Sequence, residues 1–415
     1  MALFGVAGTG AALAQTAKED SVTTRVRPDY DALGIESRDF FPATGTAADP
    51  AVSSFILFPK IDIETEYDDN TFRTETDKRA DTVFRVKPGI RAESDWDNHL
   101  LAFRANGELG RFAENGSEDY NDYNFGVNGQ LDLTEEMSVG LGSGFARAHQ
   151  DRGSPDDTGL GIPLTKFFQT SYDANVVFTG EPLSFRLDGV ADVFNFQDAG
   201  PINNDDQDRN KYKTTFRVGY EILEGTTLFV QPGYNVVRYD AAVDDEGLRR
   251  DSQGYEVLAG FTWDLSGVTF LELGAGYLRQ SFDDPLLGTV RGPSFSGDLV
   301  WNATDLMTLT GRLSRTVKET TLRNASGILE TNLEFVVDYD PLENLIFTLS
   351  GAFRNQDFKG IDRSEDGVRF RLGMKYLMNP NVVWELRYEN EDLDSNLAGE
   401  SYKNNQWLGR LTFRL

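Results

Sequence analysis

The sequence predicts an all-β protein, a transmembrane antiparallel up-and-down β-barrel of about 18 strands. Three observations lead to this prediction. Eighteen short stretches alternate apolar and polar residues, the links between them are alternately long and short, and Trp and Tyr lie near the ends of the stretches. Because successive side chains of a strand point to opposite faces, the alternation gives each strand one apolar and one polar face.

The first and last stretches show the alternation most plainly. Ile61, Ile63 and Tyr67 share a face in the first, and Trp407 and Phe413 share a face in the last. A soluble sandwich has the same alternation, so the number and spacing of the stretches must decide. The predicted strands are 54–67, 81–94, 99–112, 121–133, 136–149, 166–179, 182–196, 210–223, 227–239, 253–265, 268–282, 291–302, 306–317, 327–339, 344–356, 366–378, 381–391 and 403–415.

The links give the barrel a direction. Those after even-numbered strands are short, such as 134–135 and 180–181, whereas those after odd-numbered strands are long, such as 151–165 and 197–209. Outer-membrane barrels have short periplasmic turns and long extracellular loops. With an even number of strands, both ends of the barrel sequence then lie on the periplasmic side.

Aromatic residues provide an independent indication of a membrane, because Trp and Tyr favour its two interfaces. Twelve of them lie on the apolar face of their strands, near one end or the other. Those expected at the periplasmic ends are Tyr220, Trp263, Trp301, Tyr339, Tyr376 and Trp384, and those expected at the extracellular ends are Tyr67, Tyr123, Tyr212, Tyr255, Tyr277 and Tyr388.

Composition excludes several classes of protein. The 415 residues show no linker after about residue 50, and a barrel grows by adding strands without needing a larger solid core. The net charge of −27 argues against a nucleic-acid partner, and the absence of Cys excludes disulfides. A β-propeller would also repeat regularly, but neither a blade signature nor fourfold grouping is present.

The N-terminal residues resemble a targeting segment. Residues 1–15 are apolar and small and include Ala12-Leu13-Ala14, an A-x-A cleavage pattern, so we predict a signal peptide over 1–14, with a short buried segment as the alternative. Residues 15–50 contain three prolines and no sustained period. We expect an irregular periplasmic leader there, either contacting periplasmic export machinery or folded into the lumen, before a barrel over 51–415.

One segment carries a family resemblance. Residues 27–34 read RPDYDALG, and the first strand has the form F-x-L-x-P ending in Tyr-x-Asp-Asn, carried by Phe55, Leu57, Pro59, Tyr67, Asp69 and Asn70. This segment resembles the putative β-barrel porin 2 family of Gram-negative outer-membrane proteins. The resemblance implies an outer-membrane channel, and some members look like secretion ports for exopolysaccharide.

Strand parity predicts which side chains line the pore. Strands 2, 3 and 16–18 become neighbours once strand 18 pairs with strand 1, and they carry most of the inward-facing bases, so we expect a basic wall at this seam. Acidic residues of strands 1 and 14 would then produce a transverse field. The alternative is internal ion pairing. The predicted pore-lining residues are Arg85, Lys87, Arg91, Arg104, Arg217, Glu330, Glu334, Arg369, Arg371, Lys375, Arg387 and Arg410.

These features favour a channel for polar or anionic solutes, with outer-membrane lipid and lipopolysaccharide around it. Lumen-side aromatics are rare, with Phe194 and Phe229 as exceptions, which disfavours a sugar path, whereas the family resemblance favours polysaccharide export. An adhesin acting through the acidic loops is a second alternative. An enzyme is a third, with His149 beside Asp151 as its one plausible base, but we predict neither catalysis nor a metal or cofactor site.

Overall fold

The computed structural model describes residues 55–96, 98–157, 159–265 and 267–414. These residues form one closed antiparallel sheet of 18 strands, in which every strand pairs with its sequence neighbour and the last pairs with the first. The predicted barrel is therefore confirmed. The predicted signal peptide (1–14) and leader (15–50) lie outside the described residues.

Strands are numbered β1 to β18 in chain order, and two 3-10 helices, Gly116–Glu118 and Asp205–Gln207, lie in the links. The strands are β1 (Phe55–Asp68), β2 (Asp81–Ser94), β3 (His99–Phe112), β4 (Tyr120–Asp132), β5 (Met137–His149), β6 (Lys166–Thr179), β7 (Leu183–Phe196), β8 (Arg209–Leu223), β9 (Thr226–Tyr239), β10 (Ser252–Leu265), β11 (Thr269–Phe282), β12 (Val290–Thr304), β13 (Met307–Lys318), β14 (Gly327–Leu342), β15 (Leu345–Lys359), β16 (Arg363–Asn379), β17 (Val382–Ser395) and β18 (Tyr402–Arg414). Among the described residues, no helix is long and apolar enough to span a membrane.

The inner face of the barrel wall is polar and its outer face is apolar, as a membrane requires. On β1, Glu64 and Glu66 are buried inside, whereas Ile61 and Ile63 are exposed outside. Ten of the twelve aromatics predicted at the membrane interfaces are exposed on this outer face, and Tyr123 and Tyr388 are half-buried there. An apolar exterior around a polar interior matches a bilayer. The backbone matches it as well, because a closed barrel satisfies every backbone polar group within the sheet.

Several strands run further than the alternation predicts, three of them at the extracellular end. β15 ends at Lys359 instead of residue 356, β16 begins at Arg363 instead of 366, and β17 ends at Ser395 instead of 391. Their extensions leave the bilayer, so their outward positions need no apolar residues, and the apolar-polar pattern that marks a membrane strand fades. The strand ends predicted from the alternation therefore lie nearer the membrane than the strand ends in the structure.

The long extracellular links include four that concern the barrel mouth. They are called L3 (150–165), L4 (197–208), L5 (240–251) and L7 (319–326) after their order along the chain. L7 joins β13 to β14, which lie almost opposite the strands that L3 connects. Loops from opposite sides of the barrel thus face each other above the lumen.

The β13–β14 hairpin leaves the wall near its top. β12 pairs with β13 only below Ser296 and Ser314, although β12 stays paired with β11 up to Val290 and β13 stays paired with β14 up to its end at Lys318. Above this split, Leu329 of the hairpin's outer face is buried against the inward-facing Val290. The top of the hairpin therefore lies inside the barrel mouth, where its outer face packs on the lumen side of β11 and β12.

A charge on the lipid-facing side should destabilise the barrel where a lumen-facing charge does not. Phe125 lies on the outer face in the middle of β4, and Asn128 lies on the inner face of the same strand. We expect Phe125→Lys to lower the free energy of unfolding by about 2–4 kcal/mol, because it places an ammonium group in hydrocarbon. Asn128→Lys is the matched control. Equal losses in urea titrations of bilayer-folded protein would contradict the assigned faces.

Candidate functional site

The seam between β1 and its neighbours is held by a buried carboxylate. Glu64 is 1% exposed and accepts a hydrogen bond of 2.6 Å from the Arg410 guanidinium. Its second oxygen lies 3.0 Å from the Lys87 ammonium and 4.0 Å from Arg85. One carboxylate thus contacts cations from both strands that flank β1.

The same pairing continues along the seam. Glu66 accepts a 2.8 Å hydrogen bond from Arg85 and lies 3.6 Å from Arg387. On β17, Glu389 lies 3.0 Å from Arg369 and 2.6 Å from Arg371. We call this set the seam network; its members are Glu64, Glu66, Glu385, Glu389, Glu391, Arg85, Lys87, Arg369, Arg371, Arg387 and Arg410.

The seam network is mixed in sign, where a basic wall was expected. The register explains this: β1 and β17 present their carboxylates directly beside the bases of β2, β16 and β18. Burial makes the pairing necessary, since an unpaired charge inside the wall would cost several kcal/mol. The internal ion pairing weighed as the alternative is therefore what the seam contains.

The other predicted pore-lining bases have separate environments. Arg91 lies 3.2 Å from Glu93 and over the ring of Phe58. Arg104 and Lys375 face inward, and neither has a hydrogen bond or ion pair among the described residues. Their role in lining a pore stays a prediction.

Arg217 and the predicted acids of β14 lie on other parts of the wall. Arg217 donates to both oxygens of Glu272, at 2.7 and 2.9 Å, and lies over the Phe229 ring at 3.6 Å. Glu330 is buried and accepts a 2.6 Å hydrogen bond from Gln356. Glu334 faces inward without such a partner in the described part of the chain.

Sequence reasoning identified only one member, Arg217, of a row of cations on β8. Arg209, Lys211, Lys213 and Arg217 share the inward parity of this strand, whereas Tyr212 between them is exposed outside. We call these four residues the β8 cation row. The signal was present in the segment RNKYKTTFR, where every second residue except one is basic.

The top of the β8 cation row is packed among aromatic rings. The Arg209 guanidinium lies 5.0 Å from the ring of Phe194, 5.1 Å from Phe196 and 5.9 Å from Tyr239. Phe167 completes this cluster, and all four rings are buried. The lumen therefore holds more aromatics than the sequence analysis expected, but their faces are covered.

Arg250 of L5 holds L7 across the mouth through hydrogen bonds. This side chain is 3% exposed and pairs with Asp244 at 2.6 Å. It donates to four backbone carbonyls of L7, among them Thr320 at 2.8 Å and Ala325 at 2.7 Å. Such charge-assisted bonds to a single guanidinium give L7 a defined position.

L3 meets L7 from the other side. The Thr320 hydroxyl donates a 2.7 Å hydrogen bond to Asp156 of L3. The base of L3 is held by Arg152, which donates to both oxygens of Glu118 at 2.8 Å. The two loops together cover part of the lumen at its extracellular end.

His149 lies in a polar environment at the start of L3. Its Nδ1 lies 2.6 Å from the Asp122 carboxylate, its Nε2 lies 4.0 Å from Asp151, and its ring packs against Tyr120. Among the described residues no hydroxyl is hydrogen-bonded to it, so the elements of a Ser-His site are not brought together. His99 instead accepts a hydrogen bond from the Asp132 backbone at a periplasmic turn.

No group of three or more His, Asp or Glu side chains within the described ranges is placed to hold a metal ion.

The comparison with protein families gives a match over almost the whole chain. Residues 45–415 match the family described as "Putative beta-barrel porin 2". The chain belongs to this family. The resemblance seen in the first strand is thus confirmed, and this porin lies in the outer membrane of a Gram-negative bacterium.

Solved structures with similar folds share little sequence identity with this chain. OpdK from Pseudomonas aeruginosa is 12% identical, with 86% of this porin and 98% of that chain covered and a TM-score of 0.46. OpdO from the same organism is 15% identical, with 86% and 97% covered and a TM-score of 0.47. The siderophore receptor PirA, also from P. aeruginosa, is 9% identical, with 86% and 80% covered and a TM-score of 0.43. The comparison with curated proteins found no match.

Neutralising the central carboxylate of the seam network should destabilise this porin strongly. Glu64→Gln removes the carboxylate that Arg410, Lys87 and Arg85 share, while each of them keeps another carboxylate within 3.1 Å, so we expect a loss of about 1.5–3 kcal/mol in the free energy of unfolding. The control is Asp298→Asn, whose exposed pair with Arg312 spans 3.4 Å and should matter by less than about 1 kcal/mol. Comparable urea midpoints for the two variants would contradict a stabilising role for the network.

The loop cluster at the mouth should respond to pH. Burial, followed by the carboxylates of Asp245 and Asp244, raises the pKa of Asp206 in L4 to about 6. The folded loop binds this proton more tightly than the unfolded chain does, so its stability should fall as pH rises from about 4 to about 6. Asp206→Asn should remove this dependence. Limited proteolysis of L4 at several pH values measures it, and an unchanged pH profile in the variant would contradict the assignment.

Proposed function

We propose that this protein is a passive outer-membrane channel for polar or anionic solutes, narrowed at its extracellular mouth by L3 and L7. The observation that carries the proposal is a closed barrel whose inner face is polar while its outer face is apolar. The outer face would contact lipid and lipopolysaccharide. A polar interior of this kind favours hydrated solutes over apolar ones.

The alternative of polysaccharide export has weaker support from the described residues. A sugar chain stacks on exposed aromatic faces, whereas the lumen-side rings of Phe167, Phe194 and Phe196 are buried in a cluster. These rings would need to be uncovered before a glycan could use them. Small solutes require no such rearrangement, so we favour them.

Adhesion through the acidic loops is distinguishable by its independence from conduction. L3 and L7 are turned over the lumen and are bonded to each other through Asp156 and Thr320. Loops that are bonded to each other over the lumen favour a role in solute passage over a role in adhesion. Deletion of loop residues that abolished adhesion and left conductance unchanged would instead support the adhesin.

Single-channel recording in planar bilayers tests the proposal. We expect discrete conductance steps from the wild-type protein and larger steps from Arg250→Ala, because this change removes the bonds that hold L7 across the mouth. Arg249→Ala is the control, since that exposed side chain donates to the Asp283 carbonyl and has no hydrogen bond to L7 among the described residues. Absence of steps in all three proteins would overturn the channel, and equal steps would overturn the narrowing by L7.

A further inference from the structure

Two lysines in the β8 cation row differ from most other cations of the barrel wall. Lys211 and Lys213 face inward, yet neither has a hydrogen bond or an ion pair within 4 Å among the residues that the structure describes. Lys213 is exposed although its parity points inward, so it faces open space within the barrel. Two residues apart on one face, their Cα atoms are about 7 Å from each other.

The polar side chains next to these lysines already contact other groups. Arg209 above them is packed among aromatic rings and donates a 2.6 Å hydrogen bond to the Gln207 carbonyl. Asp192, the residue beside Lys211 on β7, accepts hydrogen bonds from Ser171 at 2.7 Å and from Gln169 at 3.0 Å, and it acts on Lys211 only through its charge, without an ion pair between them. The lysines are therefore the members of the row that remain available to a ligand.

One carboxylate of L7 lies close enough to Lys211 to act on it electrostatically. Glu319 is the first residue of L7, and L7 is bonded through Arg250 to L5, the loop that follows β9 beside β8. The cations that act on it electrostatically are Lys211, then Arg209, then Arg250. Burial nevertheless raises the pKa of Glu319, so this carboxylate lies in a poorly hydrated position where its charge is incompletely compensated.

We propose that Lys211 and Lys213 form a binding site for a small carboxylate solute, and that Glu319 occupies its upper end as an internal counter-ion which the solute displaces. This inference rests on the proposed channel function. An entering carboxylate would replace the Glu319 charge beside Lys211 and then contact Lys213 further down the wall. Neutral polyols of the same size would gain nothing from the lysines, because they carry no charge to exchange.

Gluconate and sorbitol provide a matched pair of probes, since they differ by a carboxylate in place of a hydroxymethyl group. The experiment measures efflux of both labelled solutes from the same proteoliposomes containing the full chain. We expect Lys211→Met/Lys213→Met to lower the ratio of gluconate to sorbitol efflux by about fivefold, as loss of one charge interaction would. Lys375→Met is the control, because it removes an inward-facing lysine from another part of the wall.

Glu319→Gln tests the internal counter-ion separately. We expect faster gluconate efflux with unchanged sorbitol efflux, because the competing charge is removed and the size of the side chain is kept. An equal rise for both solutes would show that Glu319 only obstructs the path and would overturn its assigned role. Heat-modifiable migration of each variant in gel electrophoresis verifies that the barrel has folded.

The outcomes separate this inference from the proposed function. If neither solute leaves the vesicles through any variant, the channel itself is overturned. If both leave and the gluconate ratio is the same in the wild type and in the double-lysine variant, the channel stands and the carboxylate site is overturned. A ratio that falls equally in Lys375→Met would also overturn it, since the effect would then reflect total lumen charge.

Discussion

The structure depends on one constraint, that a chain crossing hydrocarbon must satisfy all of its backbone polar groups internally. In a sheet this requires closure, which is achieved here where β1 pairs with β18 from Lys60 and Arg414 to Asp68 and Gln406. Closure turns one face of every strand toward an enclosed space. The polar residues on that face must then be hydrated or paired, and at the seam they are paired.

Closure also explains why the seam holds the densest charge network. β1 carries Asp62, Glu64 and Glu66 inward, and Glu64 has a base directly opposite it on each neighbouring strand, Arg85 on β2 and Arg410 on β18. Misaligning β1 by one residue would turn these carboxylates toward lipid. We infer that the network contributes to register as well as to stability, because a one-residue shift would unpair all of its β1 carboxylates.

The sequence predicts the wall far better than it predicts the mouth. Parity along a strand is a local property, so the face of Phe125 or Glu64 follows from its neighbours alone. Leu329 shows where this reasoning ends: it has the outward parity of a lipid-facing residue, yet it is buried against Val290 inside the mouth. The split between β12 and β13 that causes this is a long-range feature, and no residue pattern within either strand marks it.

The candidate site shows the same division. Inward orientation of Arg369 and Arg410 follows from parity, but whether each base is paired depends on the register between strands, which a single sequence does not contain. Bases at the seam are neutralised because acids lie opposite them. Lys213 on β8 has Val190 and Asn235 as its cross-strand partners, so its charge stays uncompensated by the wall. The net charge that a strand presents to the pore thus depends more on the residues of the neighbouring strands than on its own residues.

The energetics of L7 set what a solute can do at the mouth. Each hydrogen bond from Arg250 is worth about 1.5–3 kcal/mol when charge-assisted, and burial of Leu329 against Val290 adds to the hold. A solute can shift the equilibrium between the held and the released position of L7 only by the difference between its affinities for these two positions. One carboxylate exchanging with Glu319 supplies a single charge interaction, too little to release the whole hairpin. The exchange is therefore expected to be local, with L7 in place, and the path must run past the loop along β8.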